Sequence, residues 1–191
     1  MVAFDFDGTL IRRDSLLEFI RFVFGNVKLV IGLARYMPVI IAAKLGLYHN
    51  GKAKEKVFSY FFGGMSYAAF CKYGEVFAGK LDSMLKAEGM ELLEYYQRSG
   101  FTVFVVSASV EEWVRPWCNN HQIRNVIGTQ VETLPNGVLS GRFRTPNCYG
   151  AEKRRRFLET EPNRDEYVLH VYGDSRGDKE LIEFADFGKI I

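Results

Sequence analysis

The sequence predicts an α/β fold: a doubly wound parallel sheet with helices on both faces and a small all-helical domain inserted after the first strand. Three observations lead there. The chain opens on an apolar run, Val2-Ala3-Phe4, that ends in Asp5-Phe6-Asp7-Gly8-Thr9. Phe101 to Val106 is a continuous apolar, β-branched run, as strands buried on both faces are, Tyr167 to Tyr172 reads as another buried strand, and each ends in a polar turn. From about residue 88 such runs alternate with helical spacing, which builds an open parallel sheet. The expected division is a core of 1–11 and 86–191 with a helical cap domain over 12–85.

After the opening strand, Asp14 or Ser15 can cap a helix through Leu16, Phe19, Ile20 and Val23, with Gly25-Asn26 as its stop. Val27 to Leu47 is long and greasy, but Lys28, Arg35 and Lys44 interrupt it and Pro38 is expected to kink it. A membrane span needs ~20 mostly apolar residues with few charges, so spanning is excluded. The expectation is a buried helical pair in the cap; the alternative is a helix that lies on a membrane or binds an apolar substrate tail. Residues 51–62 read as a further helix, which Gly63-Gly64 breaks before a helical stretch from Ser66 to Leu85. The many aromatics here are expected to pack between helices, because nothing alternates as a base-stacking platform does.

In the second half, Gly89 to Arg98 is helical, Phe101 to Val106 a strand and Glu111 to Asn119 a helix restricted by Pro116. Asn125 to Ile127 is a short strand. Asn136-Gly137 turns a hairpin between Val131 to Leu134 and Val138 to Phe143. A basic helix, Glu152 to Glu159, precedes the Tyr167 to Tyr172 strand, the turn Gly173 to Asp178, a helix Lys179 to Phe184 and a last strand from Phe187.

The 191 residues are 48% hydrophobic, enough for a substantial core. Cys71, Cys118 and Cys148 are odd in number and far apart, which argues against disulfides and a zinc site and for a reduced, cytoplasmic setting. No secretory leader pattern opens the chain. The net charge of +2 conceals a surplus of +7 between residues 10 and 80, so the remainder is acidic. A basic segment of that kind attracts an anionic substrate or membrane surface, or is simply a solvated face. No nucleic-acid partner is expected.

Side chains at i and i+2 of a strand share a face, so Asp5 and Asp7 point at one spot beyond the strand end. Ser107, Asp174 and Asp178 come after two other strands, and ligands of such sheets bind beyond these carboxyl ends. Several carboxylates, a hydroxyl and Lys153 form an oxygen-rich site for a hard divalent cation, with Mg²⁺ expected, and a phosphate. An Asp nucleophile on phosphorus gives an aspartyl-phosphate, and a second acid, for which Asp7 is placed, protonates the leaving alkoxide and then activates water.

Asp5-Phe6-Asp7-Gly8-Thr9, Ser107, Lys153 and Gly173-Asp174-Ser175-Arg176-Gly177-Asp178 together resemble, in order and over the entire chain, the four motifs of the haloacid dehalogenase superfamily. The insert after the first strand resembles its phosphoserine-phosphatase-like branch, which has a Rossmann-like core. The resemblance implies that Asp5 is the phosphorylated nucleophile and Asp7 the acid/base. It implies that Asp5, the Asp7 carbonyl and Asp174 bind Mg²⁺ with support from Asp178, and that Ser107, the Ala108 amide and Lys153 hold the phosphoryl group. Phosphoserine phosphatases carry Ser-Gly-Gly where this chain has Ser107-Ala108-Ser109, and Asp14 stands where they have a glutamate. The basic, apolar cap is instead similar to bacterial phosphatidylglycerophosphatase-type members. The expectation is therefore a phosphomonoesterase for an organic phosphate, a lipid phosphate ahead of a small metabolite, with peripheral membrane contact through the cap.

Two readings of other classes compete. Receiver modules also set several Asp and a Lys on a doubly wound sheet, but Asp7 supplies an acid/base that shortens phosphoenzyme lifetime. A binding module without activity conflicts with the intact set of acids. His49, His121 and His170 are expected away from the site.

Overall fold

The computed structural model describes residues 1–191. The elements run β1 (Val2–Phe4), α1 (Ser15–Lys44), α2 (Asn50–Phe62), α3 (Tyr67–Leu81), α4 (Ala87–Arg98), β2 (Val103–Val110), α5 (Glu111–Asn120), β3 (Asn125–Thr129), β4 (Val131–Thr133), β5 (Leu139–Phe143), α6 (Ala151–Thr160), β6 (His170–Gly173), α7 (Lys179–Phe184) and β7 (Phe187–Ile190).

Five strands form a parallel sheet in the order β3-β2-β1-β6-β7. β1 is its centre, with no solvent on either face. Val2 and Phe4 join the large core cluster on one side, while Ala3 faces Phe104, Phe157, Leu169 and Val171 on the other. That two-sided burial is why the opening run is apolar at every position. From β1 the chain winds outward through β2 to β3, then returns to β6 on the other side of β1. The β1/β6 boundary is thus the topological switch point, where the carboxyl ends of an open sheet leave a crevice.

The helical insert enters at Asp14, whose Oδ1 accepts the Leu17 amide at 3.0 Å and caps α1. Gly25, at φ 80 and ψ 169, breaks the helix where a stop was expected. Beyond it the chain departs from the expected buried pair. Residues 26–44 form one continuous helix through Pro38, and much of its surface is exposed. Proline orphans the carbonyl four residues earlier, here that of Ala34; both residues are exposed, so water can satisfy it. The inner face lies close on α2: a Cβ on Gly32 would stand 2.2 Å from the Phe61 ring.

An aromatic cluster fastens insert to sheet. Phe19 stacks on Trp113 of α5 at 4.6 Å and meets Phe62, Phe70 and Phe77 at 5.2–5.4 Å. Phe58, Phe61, Phe62, Phe70 and Phe77 are buried as expected, whereas Tyr60, Tyr67 and Tyr73 reach solvent.

Three strand boundaries shift. β2 starts at Val103 and continues to Val110 because pairing resumes at Val110–Thr129 after an irregularity, so Ser107 to Ser109 lie inside the strand. β3 likewise extends to Thr129. β6 begins only at His170, since the Leu169 amide is taken by the Asp186 carboxylate. The β4–β5 hairpin turns at Gly137 as expected and packs beneath α2, with Phe143 at 5.2 Å from Phe58.

Candidate active site

Asp5 leaves the end of β1 with its amide on the Tyr172 carbonyl, so β6 sets its position. Gly8, at φ 81, turns the chain immediately after; a Cβ there would lie 2.1 Å from Asp174 Oδ2, so only glycine lets the β1 turn stand against the β6 loop. Asp178 ties that loop down, its Oδ2 accepting the amides of Asp174 and Ser175 at 3.2 and 3.1 Å. Lys153, in the first turn of α6, drives its ammonium between the two strand ends, 2.6 Å from Asp5 Oδ1 and 2.5 Å from Asp178 Oδ1.

Asp5, Asp174 and Asp178 each offer a carboxylate oxygen within 4.8 Å of the others. Lys153 pairs with two of them, Asp5 and Asp178, while Asp174 has no ion-pair partner. Burial pushes Asp5 up to about 6, with Lys153 opposing and Asp178 adding to the rise; burial and Asp178 also raise Asp174. Lys153 is raised despite its burial because Asp5 and Asp178 surround it. A crowded, all-oxygen set with uncompensated negative charge fits a hard divalent cation.

Asp7 lies beside this cluster on a separate support. Its Oδ2 accepts the Ser109 hydroxyl at 2.5 Å and the Ser15 hydroxyl at 3.1 Å, while Trp113 Nε1 donates to Ser15 Oγ at 2.9 Å. Its Oδ1 is buried without a partner. Burial and the nearby Asp14 charge raise the carboxyl to about 7 against the Ser109 hydrogen bond and Lys54.

A cavity of about 460 Å³ covers these groups. Asp5, Asp7, Lys153 and Asp174 form its floor, Leu33, Ile40, Ala53 and Val57 from the insert its roof, and Arg12, Arg13, Lys44 and Lys54 line it with positive charge. Ala108 borders the cavity. Ser107 does not; it is buried behind Ala108, its Oγ accepting the Ser109 amide at 3.0 Å. Asp178 likewise stands behind Lys153. None of the histidines lines the cavity, and Cys148 is core, its thiol pushed up to about 11 by burial.

Sequence reasoning missed Ser15, Ser109, Lys54 and Lys86. Lys54 reaches from α2 to the Ala108 carbonyl at 2.9 Å, and Lys86 to the Gly8 carbonyl at 2.8 Å. Ser15 looks like a helix cap and Ser109 like a turn residue; only the meeting of β2 with α1 gives them Asp7 as a partner.

Residues 2–183 match the family model of haloacid dehalogenase-like hydrolases. The chain belongs to this family of hydrolases. Protein CicA of Caulobacter vibrioides (strain NA1000 / CB15N) is 29% identical over 187 residues, covering 97% of this chain and 83% of that protein. A protein of unknown function from Bordetella pertussis Tohama I has the same fold, with a TM-score of 0.84 at 17% identity over 98% of this chain and 87% of that one. A phospho-aspartyl intermediate analogue of phosphoserine phosphatase superposes with a TM-score of 0.68 at 15% identity, covering 98% and 83%. The fold is therefore that of the phosphoserine-phosphatase-like branch of the haloacid dehalogenase hydrolases.

Proposed function

We propose that this hydrolase is a Mg²⁺-dependent phosphomonoesterase acting through an aspartyl-phosphate on Asp5. The carrying observation is the meeting of Asp5 and Asp174, from the ends of adjacent strands, beside a buried Lys153 paired with Asp5, with Asp7 two residues further along the chain on the same cavity floor. Asp5, Asp174 and the Asp7 carbonyl would hold Mg²⁺, with Asp178 behind them. When bound, the ion would polarise the phosphoryl group and offset its charge.

Asp5 attacks phosphorus, forming an acyl-phosphate bond as the bond to the ester oxygen breaks. Asp7, raised to about 7, gives its proton to the departing alkoxide. As a carboxylate it then takes a proton from the water that attacks the phosphorus, which frees Asp5 and inorganic phosphate. Lys153 and the Ala108 amide hold the equatorial oxygens through both steps, with Ser107 beside Ala108 near the end of β2. In this reading residues 12–85 are the cap that shields the reaction from bulk water.

The roof favours an organic phosphate with an apolar portion, a lipid phosphate among them: Leu16, Leu17, Leu33, Ile40 and Val57 present hydrocarbon above the acids, and Arg13, Lys44 and Lys54 present positive charge. The test is phosphate release from an aryl phosphate by wild type and Asp5→Asn, with Mg²⁺ and with EDTA. Asp5→Asn and EDTA should each abolish turnover while circular dichroism is unchanged; turnover by Asp5→Asn would overturn the nucleophile assignment. A panel of phosphoserine, sugar phosphates and phosphatidylglycerophosphate then ranks substrates, and turnover of phosphoserine alone would sink the lipid preference.

A further inference from the structure

From Phe19 to Lys54 the chain holds six basic residues and no aspartate or glutamate. Its central part, 26–44, is the helix that roofs the cavity with Leu33 and Ile40 and buries Leu29 and Gly32. The opposite face is apolar as well. At 3.6 residues per turn, Val27, Val30, Ile31, Met37, Ile41 and Leu45 fall in an arc of about 120° that also includes Ala34 and Pro38. All are exposed, Met37 by 46% and Val27 by 74%, and Leu47 continues the patch at 79%.

Cations border this arc. Lys44 lies along one edge, and Arg35 and Lys28 along the other. None of the three is paired with a carboxylate. Long basic side chains at the edge of an apolar stripe can keep their heads in water while their stems extend it. An apolar stripe with a basic border is the pattern of helices that lie in a membrane interface. No helix here is long and apolar enough to cross one, so the contact would be along the surface.

We propose that the outer face of 26–44 docks on an anionic lipid bilayer, with its apolar arc at the acyl boundary and Lys28, Arg35 and Lys44 among the headgroups. Charge selects this occupant over a second copy of the chain. A two-fold contact would set this acid-free surface against itself and bring like charges together, whereas anionic headgroups complement all three cations. The same helix forms the cavity roof and Lys44 belongs to both surfaces, so docking would bring the cavity to the headgroup layer. The proposal does not rest on the phosphatase reading, because binding is measured without turnover.

The experiment is flotation of the full chain with phosphatidylcholine vesicles, with and without about 30 mol % phosphatidylglycerol. Wild type should float with the anionic vesicles and bind neutral ones roughly tenfold more weakly. Val27→Ser/Ile31→Ser/Ile41→Ser should lose at least about tenfold in binding, while its circular dichroism and turnover of a soluble aryl phosphate match wild type. Lys28→Gln/Arg35→Gln should lose binding selectively on anionic vesicles. Absence of wild-type binding, or full binding by the triple serine variant, would overturn docking. So would a dimer seen by light scattering that the triple variant abolishes, if wild type ignores vesicles.

Discussion

Lys153 Nζ lies 2.6 Å from Oδ1 of Asp5, and only 2% of the lysine side chain and 10% of the aspartate are exposed. The same ammonium is 2.5 Å from Asp178 Oδ1, so one cation holds two buried carboxylates apart from water and close to each other. Removing it leaves both uncompensated. Lys153→Ala is expected to lose about 3–5 kcal/mol of stability in urea unfolding near pH 7.5 without metal. Part of that loss should vanish on acidification, because Asp5 without its lysine can take a proton. A loss under about 1 kcal/mol would show that the pair contributes little.

The three carboxylates within 4.8 Å also predict how the fold answers to metal. A ligand that binds only the folded chain stabilises it by mass action, about 2.7 kcal/mol at one hundred times its Kd. Mg²⁺ should raise Tm in wild type and leave Asp174→Asn unmoved, and EDTA should reverse the rise. Equal shifts in both proteins would place the bound ion elsewhere.

Asp7 is held by two serines far from each other in sequence: Ser109 and Ser15 are 94 residues apart, yet their hydroxyls lie 2.8 Å from each other and both reach its Oδ2. Hydrogen bonds to a charged group contribute ~1.5–3 kcal/mol, so Ser109→Ala should cut kcat for an aryl phosphate at least about tenfold, with KM little changed. A variant with unchanged kcat would detach Ser109 from the chemistry.

That support marks the border of what the sequence discloses. The sheet class is legible because β1, β2 and β6 are buried on both faces and so are dominated by apolar residues. The acids are legible because they come directly after those runs. Ser15 and Ser109 are not, since a serine at a helix start has an ordinary capping explanation and its real partner depends on packing. The outer face of 26–44 escapes the sequence for a related reason: hydrophobicity predicts contact with something apolar, and the packing of Leu29, Gly32, Leu33 and Ile40 shows which side of the helix the protein itself uses.

A half-buried acid outside the site adds to the dependence of stability on pH. Glu112, at the start of α5, accepts the Tyr67 hydroxyl at 3.2 Å through Oε1, while Oε2 is buried without a partner. Burial raises its carboxyl from an ordinary 4.5 to about 7. Between those values the folded chain binds the proton and the unfolded chain does not, so stability falls as pH rises through this window. Glu112→Gln should therefore match wild type near pH 4.5 and exceed it by ~2 kcal/mol at pH 8, read by urea unfolding. A gap that is independent of pH would assign the gain to packing instead.

Two helix glycines should respond to alanine with opposite signs. Gly89 of α4 lies so close to the β1 turn that a Cβ would stand 2.0 Å from the Thr9 carbonyl oxygen, an atom fixed by the backbone that carries Asp7 and Gly8. Gly89→Ala must push helix and turn apart, and overpacking of this kind costs ~1–3 kcal/mol. Because the displaced turn holds the acids, aryl-phosphate turnover should fall with the stability. Gly79 is an exposed position inside α3 with nothing within 4 Å of its would-be Cβ. There alanine removes only the conformational freedom of glycine and should add ~0.5–1 kcal/mol, leaving kcat unchanged. Urea unfolding and steady-state kinetics on the two variants test the packing directly: a neutral Gly89→Ala would mean that the turn after β1 can give way without disturbing Asp5 and Asp7, contrary to the close contact of α4 with Thr9.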